Sequence, residues 1–100
     1  MPERTFVKYT FIKVDPEWRR RDPAERAQDK REFAAACNDF AEDHYLRTYS
    51  LVGTRGDCDL LVRTATPNLD AIHELHVVLN QSGLMRHADI AYSYLSLIHI

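Results

Sequence analysis

Glycine and cysteine are scarce in this chain, and neither sign of charge dominates. Three glycines in 100 residues leave no Gly-rich loop to cradle a phosphate. Two cysteines, Cys37 and Cys58, are too few for a disulfide framework and suit a reducing compartment. A formal net charge of -2 and a pI near 6.2 supply no basic field, so nucleic acid is not an expected partner. No apolar run approaches the roughly 20 residues of a spanning helix, and no membrane association is expected. The first residues lack a signal peptide's apolar core, which predicts a cytoplasmic protein. The patterns G-x-S-x-G and H-E-x-x-H are missing, as is any recognisable metal-ligand quartet. There is no internal repeat or low-complexity segment, and the length allows one small domain with one core.

What is present centres on Tyr45 to Arg63, which reads as two strands joined by a turn. The first arm, 45–52, mixes β-branched, aromatic and aliphatic residues, as a half-buried strand needs. Gly53 and Gly56 bracket Thr54 and Arg55, and Asp57 follows, a turn composition. The second arm, 57–64, sets Cys58, Leu60 and Val62 on one face against Asp59, Leu61 and Arg63 on the other.

The opening stretch 5–14 is a strong strand signal with two apolar faces. One carries Phe6, Lys8, Thr10, Ile12 and Val14; the other carries Thr5, Val7, Tyr9, Phe11 and Lys13. A sheet covered on one side only shows one wet face. Leaving Val7, Tyr9 and Phe11 in water forgoes about 1.5–3 kcal/mol each, so the far side is expected to be covered too.

Asp15-Pro16 ends that strand, and Trp18 with Arg19, Arg20 and Arg21 forms a basic connection. A solvated loop with Trp18 folded back as a plug is preferred to an anion-binding patch. Asp22-Pro23-Ala24-Glu25 then predicts a capped helix over 23–42, with Phe33, Ala36, Cys37, Phe40 and Ala41 as its buried stripe. Cys37 on that stripe reads as core rather than nucleophile, because apolar surroundings raise a thiol's pKa. Cys58 reads as strand core.

After the hairpin, Thr66 as cap and Pro67 in the first turn predict a helix over 67–82, ended by Gly83. Its core face is Leu69, Ile72, Leu75, Val78 and Leu79. Its polar side carries His73 and His76, three apart and close enough for a metal pair. No third ligand is signalled, and solvent-facing histidines are the expectation. Residues 89–98 form the fourth strand, with Ile90, Tyr92 and Tyr94 on alternating positions. The order is βαββαβ, an α+β ferredoxin-like fold with a four-stranded antiparallel sheet and both helices on one face. The residues alone stop there.

The segments FVKYTFIKVDPEWRR, KREFAAACNDF, LRTYSLVGTRGDCDLLVR and AYSYLS, in this order, resemble the N-terminal half of the chlorite dismutase-like haem proteins. Coproheme decarboxylases and true chlorite dismutases both belong to that family. The resemblance runs from Phe6 to Ser96. Its most specific parts are the Asp-Pro-x-Trp-Arg ending of the first strand and the run from Arg47 to Gly53. Gly56 and Cys58, where alanines are expected, are mild departures. The resemblance implies that two ferredoxin-like halves face each other in an α+β barrel and that subunits assemble as a homo-oligomer, a pentamer in the family. That would explain a first strand with two apolar faces.

Family members are about twice this length, and the resemblance places the haem or coproheme pocket mainly in the C-terminal half. None of His44, His73, His76, His87 or His99 matches the proximal ligand, so neither an axial ligand nor a catalytic residue is carried over. The chain alone is expected to hold no cofactor. Its closest approach to haem is expected along the last strand, at Tyr92, Tyr94 and Ser96, against the plainer reading of tyrosines packed between two sheets. Residues 95–100 can also be read as the translation of a sequencing-library adapter end, making them a non-native end; this is preferred to a genuine apolar strand end, because a second half is missing at that same point.

Three functions are compatible with these residues. The first is the N-terminal half of a haem-dependent oxidoreductase, coproheme decarboxylase before chlorite dismutase, inactive by itself. The second is a free-standing small α+β-barrel protein that dimerises through its open sheet face and acts as a monooxygenase or binds a small molecule. The third is a non-catalytic interaction half. The partner on the open face is accordingly either a missing C-terminal half or a second copy.

Overall fold

Strand-forming alternation and two Asp-Pro helix starts account for most of the architecture. The structure is a computed structural model describing residues 4–53 and 57–99. The strands are β1 (Arg4–Val14), β2 (Tyr45–Ser50), β3 (Leu60–Thr66) and β4 (Ala88–His99). The helices are α1 (Pro16–Arg19), α2 (Pro23–Ala41) and α3 (Leu69–Asn80), with a 3-10 turn at Met85–His87. The sheet order is β2-β3-β1-β4, antiparallel throughout, which is the ferredoxin-like arrangement.

The expected basic loop contains a helical turn. Asp15 caps α1 by accepting from the Glu17 amide at 2.9 Å, repeating the chemistry by which Asp22 caps α2. Trp18 is the plug expected of it: it is buried, and its Nε1 donates to Asp29 Oδ2 at 2.8 Å. The buried stripe of α2 is Asp29, Phe33, Ala36, Cys37 and Phe40, while Ala41 is exposed.

Three expectations fail at α3. Its cap is Asn68, which accepts from the Asp70 amide at 3.0 Å; Thr66 ends β3 and accepts from the Asn68 amide at 3.1 Å. Pro67 therefore precedes the cap. The core face is Ala71, Ile72, Leu75 and Leu79, and Leu69 and Val78 are 45% and 48% exposed. Gly83 does not end the helix through a left-handed conformation. Its side-chain position is filled instead: a Cβ there would lie 1.9 Å from Asp29 Oδ1.

The hairpin arms are shifted, 45–50 and 60–66 against the expected 45–52 and 57–64. Asp59 is the reason. Its amide donates to the Ile12 carbonyl at 2.8 Å and its Oδ2 accepts from the Val14 amide at 2.9 Å, which ties it to β1 and delays β3. Gly53 has φ 86°, as a turn glycine should, while Thr54, Arg55 and Gly56 lie outside the described residues.

A bulge sets the faces of β4. Phe11 pairs with Tyr92 but Ile12 with Ile90, leaving Ala91 as the extra residue. Ile90 thus turns to the helical side and does not share a face with Tyr92 and Tyr94. The core lies on that helical side, where Ile12 and Val62 meet Phe33, Phe40, Leu75, Leu79 and Trp18.

Cys37 belongs to this core, and burial pushes its thiol from 9.0 up to about 11. The folded state holds this proton more tightly than the unfolded chain. The associated stability is therefore intact below pH 9.0 and lost as pH rises through about 11. Relative to Cys37→Ala, the unaltered chain should lose on the order of 2 kcal/mol across that window. Urea midpoints of the two proteins from about pH 8 to about pH 11 check this; parallel curves would place the thiolate in water.

Candidate functional site

The sheet surface away from the helices is the part of the fold that lacks a covering layer. Pairing registers place its residues in a grid. Val7, Tyr9 and Phe11 of β1 stand opposite Ala65, Arg63 and Leu61 of β3 and opposite Ser96, Tyr94 and Tyr92 of β4. Beyond β3, Tyr45, Arg47 and Tyr49 of β2 face Ala65, Arg63 and Leu61.

Aromatic packing already shields part of this face. Phe11 meets Tyr92 and Tyr94 edge-on, with centroids 6.2 and 6.0 Å away. Val7 is buried, whereas Tyr9 and Phe11 are half-buried. The far side of β1 is therefore apolar as read, and of the three side chains expected to need cover Val7 is already buried while Tyr9 and Phe11 remain partly open. Tyr45, Tyr49 and Tyr92 are each about 40% exposed and Tyr94 57%.

The sequence-predicted residues Tyr92, Tyr94 and Ser96 all lie on this face, on edge strand β4. Sequence reasoning missed its charged part. Arg63 sits with its guanidinium carbon 5.8 Å from the Tyr9 ring centroid and 5.6 Å from that of Tyr45; Arg47 stands 5.8 Å from Tyr45. Arg63 Nε is buried and has no hydrogen-bond acceptor. The two arginines face each other across β2 and β3, a juxtaposition legible once the register is known.

The described histidine side chains lie elsewhere. His44 stacks on Phe40 with centroids 4.5 Å apart, at the end of α2. His73 is exposed on α3. His76, expected on that helix's polar side, instead turns toward the sheet and places Nε2 3.3 Å from Thr10 Oγ1. Burial, then the charges of Lys8 and His73, hold His76 below its usual 6.5. His73 and His76 thus diverge, and among the described residues no three His, Cys, Asp or Glu side chains gather as metal ligands. His87 closes the turn before β4.

A cleft of about 450 Å³ lies on the helical side, between α2 and β2, lined among others by Phe33, Cys37, Leu46 and Leu60. The raised pKa keeps the Cys37 thiol protonated, and Asn38, Arg47 and Thr48 complete a lining of mixed polarity. Among the described residues no helix is long and apolar enough to cross a membrane.

Comparison with known proteins bears on the whole chain. A sequence model of the family described as chlorite dismutase matches residues 26–100. Two solved structures of chlorite dismutase from Candidatus Nitrospira defluvii, one a mutant and one an imidazole complex, superpose with TM-scores of 0.87 and 0.86. Both are 15% identical over 93% of this chain and 39% of their own. A haem-binding protein from Thermus thermophilus superposes with a TM-score of 0.83 at 22% identity, over 100% of this chain and 44% of its own. The chain therefore spans less than half the length of these solved structures.

Proposed function

This chain belongs to the chlorite dismutase family, and we propose that it forms the N-terminal half of a haem-dependent oxidoreductase, inactive by itself. Coproheme decarboxylation, the broader of the family's two activities, is the one we assign. The observation that carries the reading is a half-length ferredoxin-like unit with an aromatic sheet face left uncovered. A second half, laid on that face, is its partner, and a homo-oligomer is the expected assembly.

Among the described residues, His44, His73 and His76 are not set as axial haem ligands. Haem iron needs an axial donor with its ring held by a second shell, inside an apolar pocket. His44 is stacked on Phe40, His76 is turned to Thr10 and His73 is in water. No axial ligand or catalytic step is assigned to this chain. Its contribution to cofactor binding is proposed to be limited to the outer edge, at Tyr92, Tyr94 and Ser96.

A haem titration of the purified chain, followed by absorbance, tests this. The expected result is weak, unsaturable adsorption on the aromatic face, with no peroxidase, chlorite-degrading or decarboxylase activity. A one-to-one complex with a five-coordinate histidine spectrum, abolished by His87→Ala or His99→Ala, would overturn it.

A further inference from the structure

We infer that the open face is made for a partner β-layer that sets a carboxylate over the Arg47–Arg63 pair, and that a second unaltered copy does not qualify. This rests on the reading that another half covers the face. Like charges directly opposite on neighbouring strands are destabilising. Here they are held by aromatic rings, which attract the cation but accept no in-plane hydrogen bond from its N–H donors.

Neither arginine makes an ion pair among the described residues, and Arg63 Nε is buried without an acceptor. Covering the face with an apolar layer alone would strip water from two unpaired cations, a cost that a hydrogen-bonded carboxylate offsets. A second copy has little to offer. The one acid in its four strands is Asp89, opposite Lys13. Lys13 is four residues along β1 from Tyr9, hence roughly 13 Å at about 3.3 Å per residue. Asp59, just before β3, is engaged by Val14 N, Lys13 and Arg19. Face-to-face copies therefore bring cation to cation, or cation to tyrosine.

The simplest surface of the required chemistry is this chain's own face with both arginines reversed. Arg47→Glu/Arg63→Glu protein is mixed with the unaltered chain and followed by sedimentation equilibrium. Mixed association at least about tenfold tighter than self-association of either, and weakened by salt, is expected. The single Arg47→Glu form, altered only at the exposed member, carries the same test if the double variant does not fold. Unaltered copies pairing as tightly as the mixture would overturn the inference, as would absence of a mixed complex.

Arg47→Leu/Arg63→Leu protein separates this failure from that of the underlying reading. If it self-associates while no mixed complex forms, the face takes a covering layer but needs no carboxylate. If neither associates, both the inference and the covered-face reading fall.

Discussion

Trp18→Ala is expected to remove about 4 kcal/mol of folding stability, the usual scale for truncating a buried large aromatic. That is a large share of what a domain of this size possesses, since totals run to about 5–15 kcal/mol. Two losses combine. The indole is buried in the core cluster that also holds Phe33 and Leu84, and its removal opens a cavity. Its Nε1 also satisfies the buried Asp29, at 2.8 Å. Arg21 Nε lies 3.3 Å from the same Oδ2 but is misaligned for a hydrogen bond, so it is a poor substitute. Trp18→Phe separates the terms: most packing survives and the N–H is lost, for about 1–3 kcal/mol. Urea unfolding followed by far-UV circular dichroism, which needs no tryptophan, measures both. If the two variants are equally destabilised, or both lose under about 1 kcal/mol, Trp18 is peripheral to the core.

Trp18 also marks where sequence reasoning succeeds and where it stops. That a lone tryptophan in an arginine-rich turn folds inward follows from its apolar area alone. That it donates to Asp29 does not, because an aspartate midway along a helix reads as solvated until the tertiary approach is known. The same division runs through the fold. Period-two alternation and the Asp22-Pro23 start are local, so β1, β2 and α2 lie close to where the residues put them, whereas the stretch after Asp15-Pro16 reads as loop and forms a helical turn. At the start of α3, Thr66 and Asn68 are both competent caps two residues apart, and nothing local decides between them. The start of β3 depends on Asp59 binding the Val14 amide, 45 residues away in the chain.

The candidate face divides likewise. Alternation alone puts Tyr92, Tyr94 and Ser96 on one side of a strand, and Val7, Tyr9 and Phe11 on one side of another. Bringing the two sets together requires the β1–β4 register. The bulge at Ala91, which turns Ile90 away, has no composition signal of its own. Arg47 and Arg63 become a pair only through the hairpin register, and register depends on where a turn begins. Helical periodicity misplaces His76 because it locates a face but not which neighbour reaches its margin; Thr10 does.

Gly83→Ala is expected to cost about 2–3 kcal/mol, as an overpacked contact with no room to yield. The added Cβ would lie 1.9 Å from Asp29 Oδ1 and 2.7 Å from its Cγ, with Glu32 Oε1 at 3.1 Å. A surface carboxylate would swing aside. Asp29 is buried and held through its other oxygen by Trp18, so moving it breaks that bond. Glu32 is committed as well, accepting from the Gly83 amide at 3.2 Å. Gly53→Ala is the control. Its φ of 86° strains any side chain, but no described residue lies within 4 Å of a Cβ there, so about 1 kcal/mol of backbone strain is all it should lose. Asp29→Ala distinguishes the two mechanisms. It removes the obstructing carboxylate, so the Gly83→Ala penalty should shrink by about 1–3 kcal/mol in that background, while the Gly53→Ala penalty stays the same. Urea midpoints of the single and double variants complete both cycles. Additivity at Gly83 within about 0.5 kcal/mol would mean that the glycine is not there to admit Asp29.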